Sequence, residues 1–392
     1  MKVFLTLIFC LFISQLSAQQ SHLAGTIVDH STQKALAEVS LTVLQKQTGT
    51  VSNNEGKFML LKNNILDTDS VLISCIGYRS IVKLAAQLMT NQSQLIYLEP
   101  QVFVLDEVII KPLSVVAMLK EAIETTAGLI KPENRLNAYY KEFAYLDQAL
   151  FKFADAAVIY TVDDKDKKTK VNMQVIESRI KKDSVTEENK WKSDIESLIK
   201  SDKAMKSYYN LDYLNKLVNP KHTAKFNYKI ETSGPITKIS IDPKAELKQY
   251  LPNAIVYFNT VNNRILKVNY SHITHLQYMP KVNLVFMAYA CEKDNMTAIY
   301  SEGPVPYLRY CRIEQDIRFK LGAKKGLLGS VSEILVSKSD LSSVVQATNS
   351  TIEPAVYKKY NIFNNGNKFS PDFWLKYNTI LPTETELKAL EF

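Results

Sequence analysis

The stretch TGTVSNNEGKFML, Thr48–Leu60, places Ser-Asn-Asn-Glu-Gly between two segments in which apolar residues alternate with polar ones. A calcium loop of the EF-hand type needs oxygen ligands at alternating positions and a Glu at the twelfth. After Asn53 and Asn54 that spacing fails, and Lys57 stands where a cation would be repelled. Asn and Gly tolerate the positive φ that tight turns require. The stretch is therefore a turn, predicted to join two strands of a hairpin.

Similar signals recur about every ten residues on either side. HLAGTIVD is followed by the turn-like HSTQK, and EVSLTVLQ sets Val39, Leu41 and Val43 against Ser40 and Thr42. GKFMLL, SVLISCIGYRSIVKL (broken at Gly77), SQLIYLEP and LDEVIIK complete the series. About seven short strands with turn residues between them predict an antiparallel β-sandwich.

As a set, GTIVDHSTQKALAEVSLTV, TGTVSNNEGKFML and LISCIGYRSIVKL resemble the carboxypeptidase-regulatory-like β-sandwich. Gly25, Asp29, Leu36, Val39, Gly56, Phe58, Gly77 and Tyr78 fall on its pattern, and Ser52 and Asn53 replace the commoner Thr-Asp. LDEVIIKP resembles the exit segment that follows this module in envelope proteins of Gram-negative bacteria. The resemblance implies a transthyretin-like fold without catalytic function and implies no peptidase activity. A TonB-dependent receptor shares the module, but the remaining chain is too short for a plug and a 22-stranded barrel.

The first residues read as a leader. Lys2 precedes the apolar run VFLTLIFCLFI, which is too short to anchor in a bilayer. Residues 1–18 are expected to be a signal peptide cleaved after Ala18, leaving Gln19 as the mature N-terminus. Cys10 follows Phe9 rather than a small residue, so cleavage without lipidation is expected. No other segment is apolar enough to span a membrane, which predicts an exported chain in the periplasm or associated with the outer membrane.

Of the 392 residues, 46% are hydrophobic and 22% charged, as in ordinary globular domains, and the formal charge is +8. From Ser21 to Pro112 there are seven Lys and Arg against eight Asp and Glu, so the surplus lies beyond. Export argues against nucleic acid. An envelope protein, an anionic envelope surface or an apolar ligand are the partners considered, beside a plainly solvated lysine surface. Three cysteines remain beyond the leader, Cys75, Cys291 and Cys311. An odd number leaves at least one unpaired, and Cys291 with Cys311 is the pair considered.

Residues 21–112 are read as the sandwich, 113–340 as an α+β domain with a large antiparallel sheet, and 341–392 as a tail packing on it. Overall the chain is mainly β with some α. SVVAMLKEAIETTAGLI spaces Val115, Leu119, Ala122 and Ile123 at helical intervals. NAYYKEFAYLDQALFKFADAAVIYTV predicts two strands joined near Asp147 and Gln148, and KVNMQVIESRI a third. Trp191 to Val218 is predicted helical. KFNYKIE is a strand, NAIVYFNTVNNRILKVNYS a hairpin at Asn262 and Asn263, and VNLVFMAYACEKDNMTAIYS a hairpin near Asp294 and Asn295. PYLRYCRIEQDIRF and SVSEILVSKS are strands, AKKGLLG a loop, and the tail is partly helical. The order resembles the C-terminal region of exported chains carrying the same module, where AYYKEF, FADAAVIY and DFWLKYN hold the places of FYRE-like, EA-like and FW…YN segments. Lys141 replaces the Arg of that pattern, which weakens a specific role for the basic residue. The strand order is also similar to that of outer-membrane lipoprotein carriers, whose curved sheet cradles acyl chains.

No reactive constellation is legible. None of His22, His30, His222, His272 and His275 sits in H-E-x-x-H or H-x-x-E. His272 and His275, in HITH, would point to opposite faces of a strand. G-x-S-x-G, the P-loop and G-x-G-x-x-G are absent. Asp163, Asp164 and Asp166 stand among lysines in a loop. No catalytic residue, cofactor or metal is assigned. The leading expectation is a non-catalytic binding protein. A periplasmic carrier of lipid or another apolar ligand and a hydrolase of unrecognised type are the alternatives. If a sheet face binds, it should present alternate strand residues, Phe226, Tyr228 and Ile230 or Leu266, Val268 and Tyr270.

Overall fold

The computed structural model describes residues 22–46, 48–62, 65–89, 94–102, 104–105, 112–130, 135–163, 170–182, 191–196, 198–199, 203–302, 305–337, 355–356, 362 and 369–390. The leader and Asp164 and Asp166 lie outside them. The chain is mainly β, and no described helix is long and apolar enough to cross a membrane.

Seven strands build the first unit: β1 (His22–Asp29), β2 (Ser40–Val43), β3 (Thr48–Val51), β4 (Lys57–Leu61), β5 (Ser70–Ser74), β6 (Ile81–Leu84) and β7 (Gln94–Leu98). They form two sheets, ordered β4-β1-β7 and β3-β2-β5-β6. The period-2 pattern sends Leu23, Ile27, Leu41, Val43, Phe58, Leu60, Val71 and Ile73 into one core between them. Two features differ from the expectation. β7 runs parallel to β1, so the sandwich is not wholly antiparallel. Moreover, β3 and β4 belong to different sheets, so SNNEG is a crossover between layers and not a hairpin tip. Asn53 builds that crossover by accepting the amides of Glu55 and Lys57 on its Oδ1, at 2.9 and 3.0 Å.

The family-pattern residues have physical work here. A Cβ on Gly25 would lie 2.7 Å from the Gln94 carbonyl oxygen and 2.9 Å from the Phe58 ring. Gly56 has φ +71°, and a Cβ there would lie 2.4 Å from the Ile27 carbonyl oxygen, so a side chain is excluded on two counts. Asp29 accepts the Ser31 and Thr32 amides and the Tyr78 hydroxyl, the last at 2.8 Å. The Thr32 amide and the Tyr78 hydroxyl hold its carboxyl below the usual range.

The remaining strands form one 13-stranded sheet in which every ladder is antiparallel. They are β8 (Val104–Leu105), β9 (Leu136–Leu146), β10 (Ala149–Asp163), β11 (Lys170–Lys182), β12 (Phe226–Ser233), β13 (Ile236–Pro243), β14 (Asn253–Asn259), β15 (Arg264–Ser271), β16 (Val282–Asn283), β17 (Met287–Tyr300), β18 (Leu308–Leu321), β19 (Lys324–Ser337) and β20 (Ala355–Val356). The order is β20-β11-β10-β9-β19-β18-β17-β15-β14-β13-β12-β8, with β16 beside β17. Bulges interrupt the ladders at Ala157/Val158, Tyr257/Phe258 and Cys291/Lys293, and such insertions bend and twist a sheet. The turn pairs Asp147–Gln148 and Asn262–Asn263 stand where expected, with positive φ at Asp147, Gln148 and Asn263. The described part of LDEVIIKP, Leu105, pairs with β12 in this sheet and not with the sandwich.

Three expectations for this region are corrected. No hairpin forms at Asp294 and Asn295: β17 runs straight through, because Asp294 accepts from Gln315 Nε2 across the ladder at 2.8 Å. AKKGLLG is not a loop, since β19 begins at Lys324 and only Gly322 and Ala323 turn. The long helix over Trp191–Val218 is broken into Trp191–Glu196, Lys203–Tyr208, a 3-10 turn at Asp212–Leu214 and Asn215–Val218. Leu211, at φ +67°, cannot continue a right-handed helix.

The helix Pro112–Leu129 lies on one face of the sheet, with Val115, Leu119, Ala122 and Ile123 buried as their spacing predicts. Thr126 fastens it. Its hydroxyl donates to the Ala122 carbonyl at 2.7 Å and accepts the Ile265 amide at 2.8 Å, both in the interior. Thr126→Val keeps the shape and leaves the Ile265 amide unpaired, so a loss of about 1–3 kcal/mol in urea-unfolding free energy is expected. A change below a few tenths would refute this role.

Candidate functional site

The sheet has two faces, and they are closed in different ways. On one, Phe226, Ile230 and Val268 are buried in a single apolar cluster beneath Pro112–Leu129, Lys203–Tyr208 and Asn215–Val218, with Tyr228 and Tyr270 packed at its margin. Tyrosine hydroxyls tie this cover to the sheet. Tyr300 donates to the Tyr208 carbonyl at 2.6 Å and lies 3.2 Å from the Tyr213 hydroxyl, and Tyr228 donates to the Leu217 carbonyl at 2.8 Å. Burial pushes Tyr228 up to about 12 and raises Tyr270 further. Five of the six candidate residues thus share one face, and helices fill it. Leu266 does not belong with them: it is the extra residue of the bulge between Tyr257/Lys267 and Phe258/Ile265, and it is buried outside that cluster.

The opposite face carries a feature that no local stretch announces. Five neighbouring strands place Arg179, Asp155, Lys141, Glu333 and Arg312 directly opposite one another, a rung of alternating charge. Arg179 grips Asp155 with two nitrogens. Lys141 Nζ lies 2.6 Å from Glu333 Oε2 and 3.5 Å from Glu386 Oε2. Arg312 Nη1 lies 3.2 Å from Glu333 Oε1, and Tyr310 donates to that oxygen at 2.6 Å. Lys141, Asp155 and Glu333 are all buried. Glu333 loses water on burial, but Lys141 and Arg312 outweigh that and bring its carboxyl down to about 2. Asp155 goes the other way, its desolvation prevailing over Arg179. Lys141 therefore does have a specific position, against the expectation drawn from its departure from Arg.

The C-terminal segment covers this rung. Phe373, Trp374 and Ile380 pack with Tyr139, Ile159, Tyr310 and Val51, which gathers AYYKEF, FADAAVIY and DFWLKYN into one place. The Arg179 guanidinium sits 4.1 Å from the Trp374 ring centroid. The same segment also holds the sandwich: Asn378 Oδ1 accepts the Leu61 amide at 2.8 Å, and Asn53 Nδ2 donates to the Pro382 carbonyl at 3.2 Å. The rung and its cover act as a clamp between sheet, tail and sandwich.

The groups capable of chemistry are dispersed. His272 stacks on Tyr250 at 4.5 Å, whereas the ring nitrogens of His275 face the Gln249 and Ala245 carbonyls. Among the described residues no group of three or more His, Cys, Asp or Glu is placed to hold a metal ion. Burial pushes the Cys291 thiol up to about 11, away from thiolate. Cys311 pairs in register with Ala298, seven residues along β17 from Cys291. That is about 23 Å at strand rise, so the two sulfurs do not bridge.

One exposed segment is strongly apolar. Between β16 and β17, Leu284, Val285 and Phe286 are 56%, 90% and 82% exposed. The preceding segment adds exposed Ile273, Leu276 and Tyr278. A separate cavity of about 490 Å³, lined by Tyr78, Arg79, Ser80, Gln101, Val102 and Ser233, opens where the sandwich meets β12.

Residues 23–110 match the family model of the CarboxypepD_reg-like domain. No curated protein matches the chain. Among solved structures, a LolA superfamily protein from Nitrosomonas europaea aligns over 58% of this chain and 96% of its own at 10% identity, with a TM-score of 0.19. A DUF1329 family protein from Desulfovibrio piger covers 58% of this chain and 92% of its own at 9% identity, with a TM-score of 0.23. A protein of unknown function from Bacteroides fragilis covers 86% and 98% at 10% identity, with a TM-score of 0.15. None of these scores shows a shared fold. The family match, with Gly25, Asp29, Gly56 and Tyr78 in the roles described above, makes residues 23–110 a carboxypeptidase-regulatory-like domain, followed in this chain by a mainly β region.

Proposed function

We propose that this chain is a non-catalytic, exported envelope protein that binds its partner through an exposed apolar segment at the end of its large sheet. The supporting observation is the filled helix-covered face: Phe226, Ile230 and Val268, the residues a carrier would turn toward a ligand, are core. The sandwich and tail brace the other face and leave the exposed apolar segment 273–286 as the contact surface. Carriage of an apolar ligand is the second reading. What favours it is the shortness of part of the cover: Lys203–Tyr208 over β18 and Tyr300 of β17, and Asn215–Val218 beside Tyr228 of β12, are helices of six and four residues that a ligand could displace. Lipid extraction and mass spectrometry of the chain purified from envelopes separates the two. Chain free of stoichiometric lipid is the expected result. One acyl lipid per chain, lost in a folded Val268→Asp variant, would establish carriage instead.

A further inference from the structure

We propose that the β16–β17 hairpin tip docks on an anionic lipid bilayer surface. The proposal rests on the binding-protein reading and names the partner of that surface. Three consecutive bulky apolar side chains stand in water at this tip, whereas the turns at Asp147–Gln148 and Asn262–Asn263 are polar. The tip is ordered by its own backbone: the Leu284 amide donates to the Met287 carbonyl at 2.7 Å, and the Gly322 amide reaches the Phe286 carbonyl at 3.4 Å. It is therefore a built projection beside the β18–β19 turn.

The charge around it selects the occupant. Register places Met287 opposite Leu321 and Ala288 opposite Lys320, with Lys320 opposite Lys325 and Leu321 opposite Lys324. Lys281 precedes β16, and all four lysines are exposed. The nearby acids are engaged elsewhere, Asp147 on the Leu327 amide and Glu292 on Arg318. Exposed apolar residues ringed by lysine suit a bilayer with anionic headgroups, where the apolar tip enters the acyl boundary and the lysines meet phosphate. Tyr278, exposed on the same segment, has the amphipathic character favoured at that boundary.

The position fits as well. The sandwich meets β18 at Arg309, which donates to Thr42, and β15 at Lys267, which pairs with Glu38. In register these contacts lie near Ile299. The tip lies past Met287, about 40 Å away along β17 at strand rise. The braced end of the sheet therefore leaves the tip free to touch a surface.

The test uses the exported chain and two sets of vesicles, one of phosphatidylethanolamine with phosphatidylglycerol, the other of phosphatidylcholine alone. Flotation with the anionic set, weakened by salt, is expected, with little on the neutral set. Val285→Asp with Phe286→Asp should lower that binding about tenfold or more while circular dichroism stays unchanged. A Phe286→Trp reporter should shift its emission to the blue and be quenched by brominated acyl chains. Lys320→Glu with Lys324→Glu should weaken binding and flatten its salt dependence. Absence of binding to anionic vesicles overturns the proposal, as does binding that survives the double aspartate change or an unshifted reporter. An envelope protein cross-linked at the tip without vesicle binding also overturns it, while leaving the binding-protein reading in place. One acyl lipid per chain held in the interior would overturn that reading itself.

Discussion

Lys141→Met is expected to destabilise the chain by about 3–5 kcal/mol, the cost of leaving a buried carboxylate without its partner. Methionine fills a similar volume, so the loss reports charge and not shape. Glu333 keeps Arg312 at 3.2 Å and the Tyr310 hydroxyl, but its 2.6 Å contact with Lys141 Nζ is gone. The pH dependence carries a sign. The Glu333 carboxyl sits at about 2 in the folded chain, below its unfolded value. Its stabilising contribution is therefore complete above the unfolded value, near 4.5, and is lost as pH falls toward 2. Without Lys141 the burial of Glu333 favours protonation, so the deficit of the variant should shrink between pH 7 and pH 4. Adding Glu333→Gln to Lys141→Met should recover part of the loss. Urea unfolding across that pH range decides the point: a deficit under 1 kcal/mol, or one that grows in acid, contradicts the clamp.

Phe373→Ala is expected to cost a similar amount, about 3–5 kcal/mol, because it empties a fully buried aromatic site. Phe373 is fully buried, stacks on Tyr377 at 5.0 Å and meets Trp374 edge-on at 5.6 Å. Its loss loosens more than a local cavity. The tail it anchors holds Leu61 through Asn378 and Asn53 through the Pro382 carbonyl, so sandwich and sheet lose a shared strap. Limited proteolysis should then cut within residues 369–390 before any other described segment. Phe373→Leu, which leaves a smaller void, should retain most of the stability. Equal resistance to protease in Phe373→Ala and the parent would show that the tail does not depend on this anchor.

Much of the fold was legible because its signals are local. Alternation in KFNYKIE and NAIVYFN, and Asn262–Asn263 between apolar runs, depend on neighbours within a few residues, and β12, β14 and β15 form there. The helix Pro112–Leu129 was legible from its apolar spacing for the same reason. The family pattern was legible because Gly25, Gly56, Asp29 and Tyr78 each meet a steric or hydrogen-bonding need of the sandwich. ITKISIDP carries the same alternation and forms β13. Period 2 likewise grouped Phe226 with Tyr228 and Ile230, and Val268 with Tyr270, whereas the meeting of the two sets on one face and the exclusion of Leu266 by its bulge are set by the ladders.

The sequence by itself thus determined the first module, most of the strands and the alternation within an unbulged strand. The tertiary structure alone decided what covers each face and what each charge is for. KDN at Lys293–Asn295 reads as a turn because polar residues look alike whether water or a neighbouring strand satisfies them. Gln315 across the ladder settles it as strand. β3 and β4 read as a hairpin because sequence proximity says nothing of layer. Arg179, Asp155, Lys141, Glu333 and Arg312 are scattered between positions 141 and 333, yet form one rung. Their energies depend on partner and burial, and both are properties of strands brought together from distant parts of the chain.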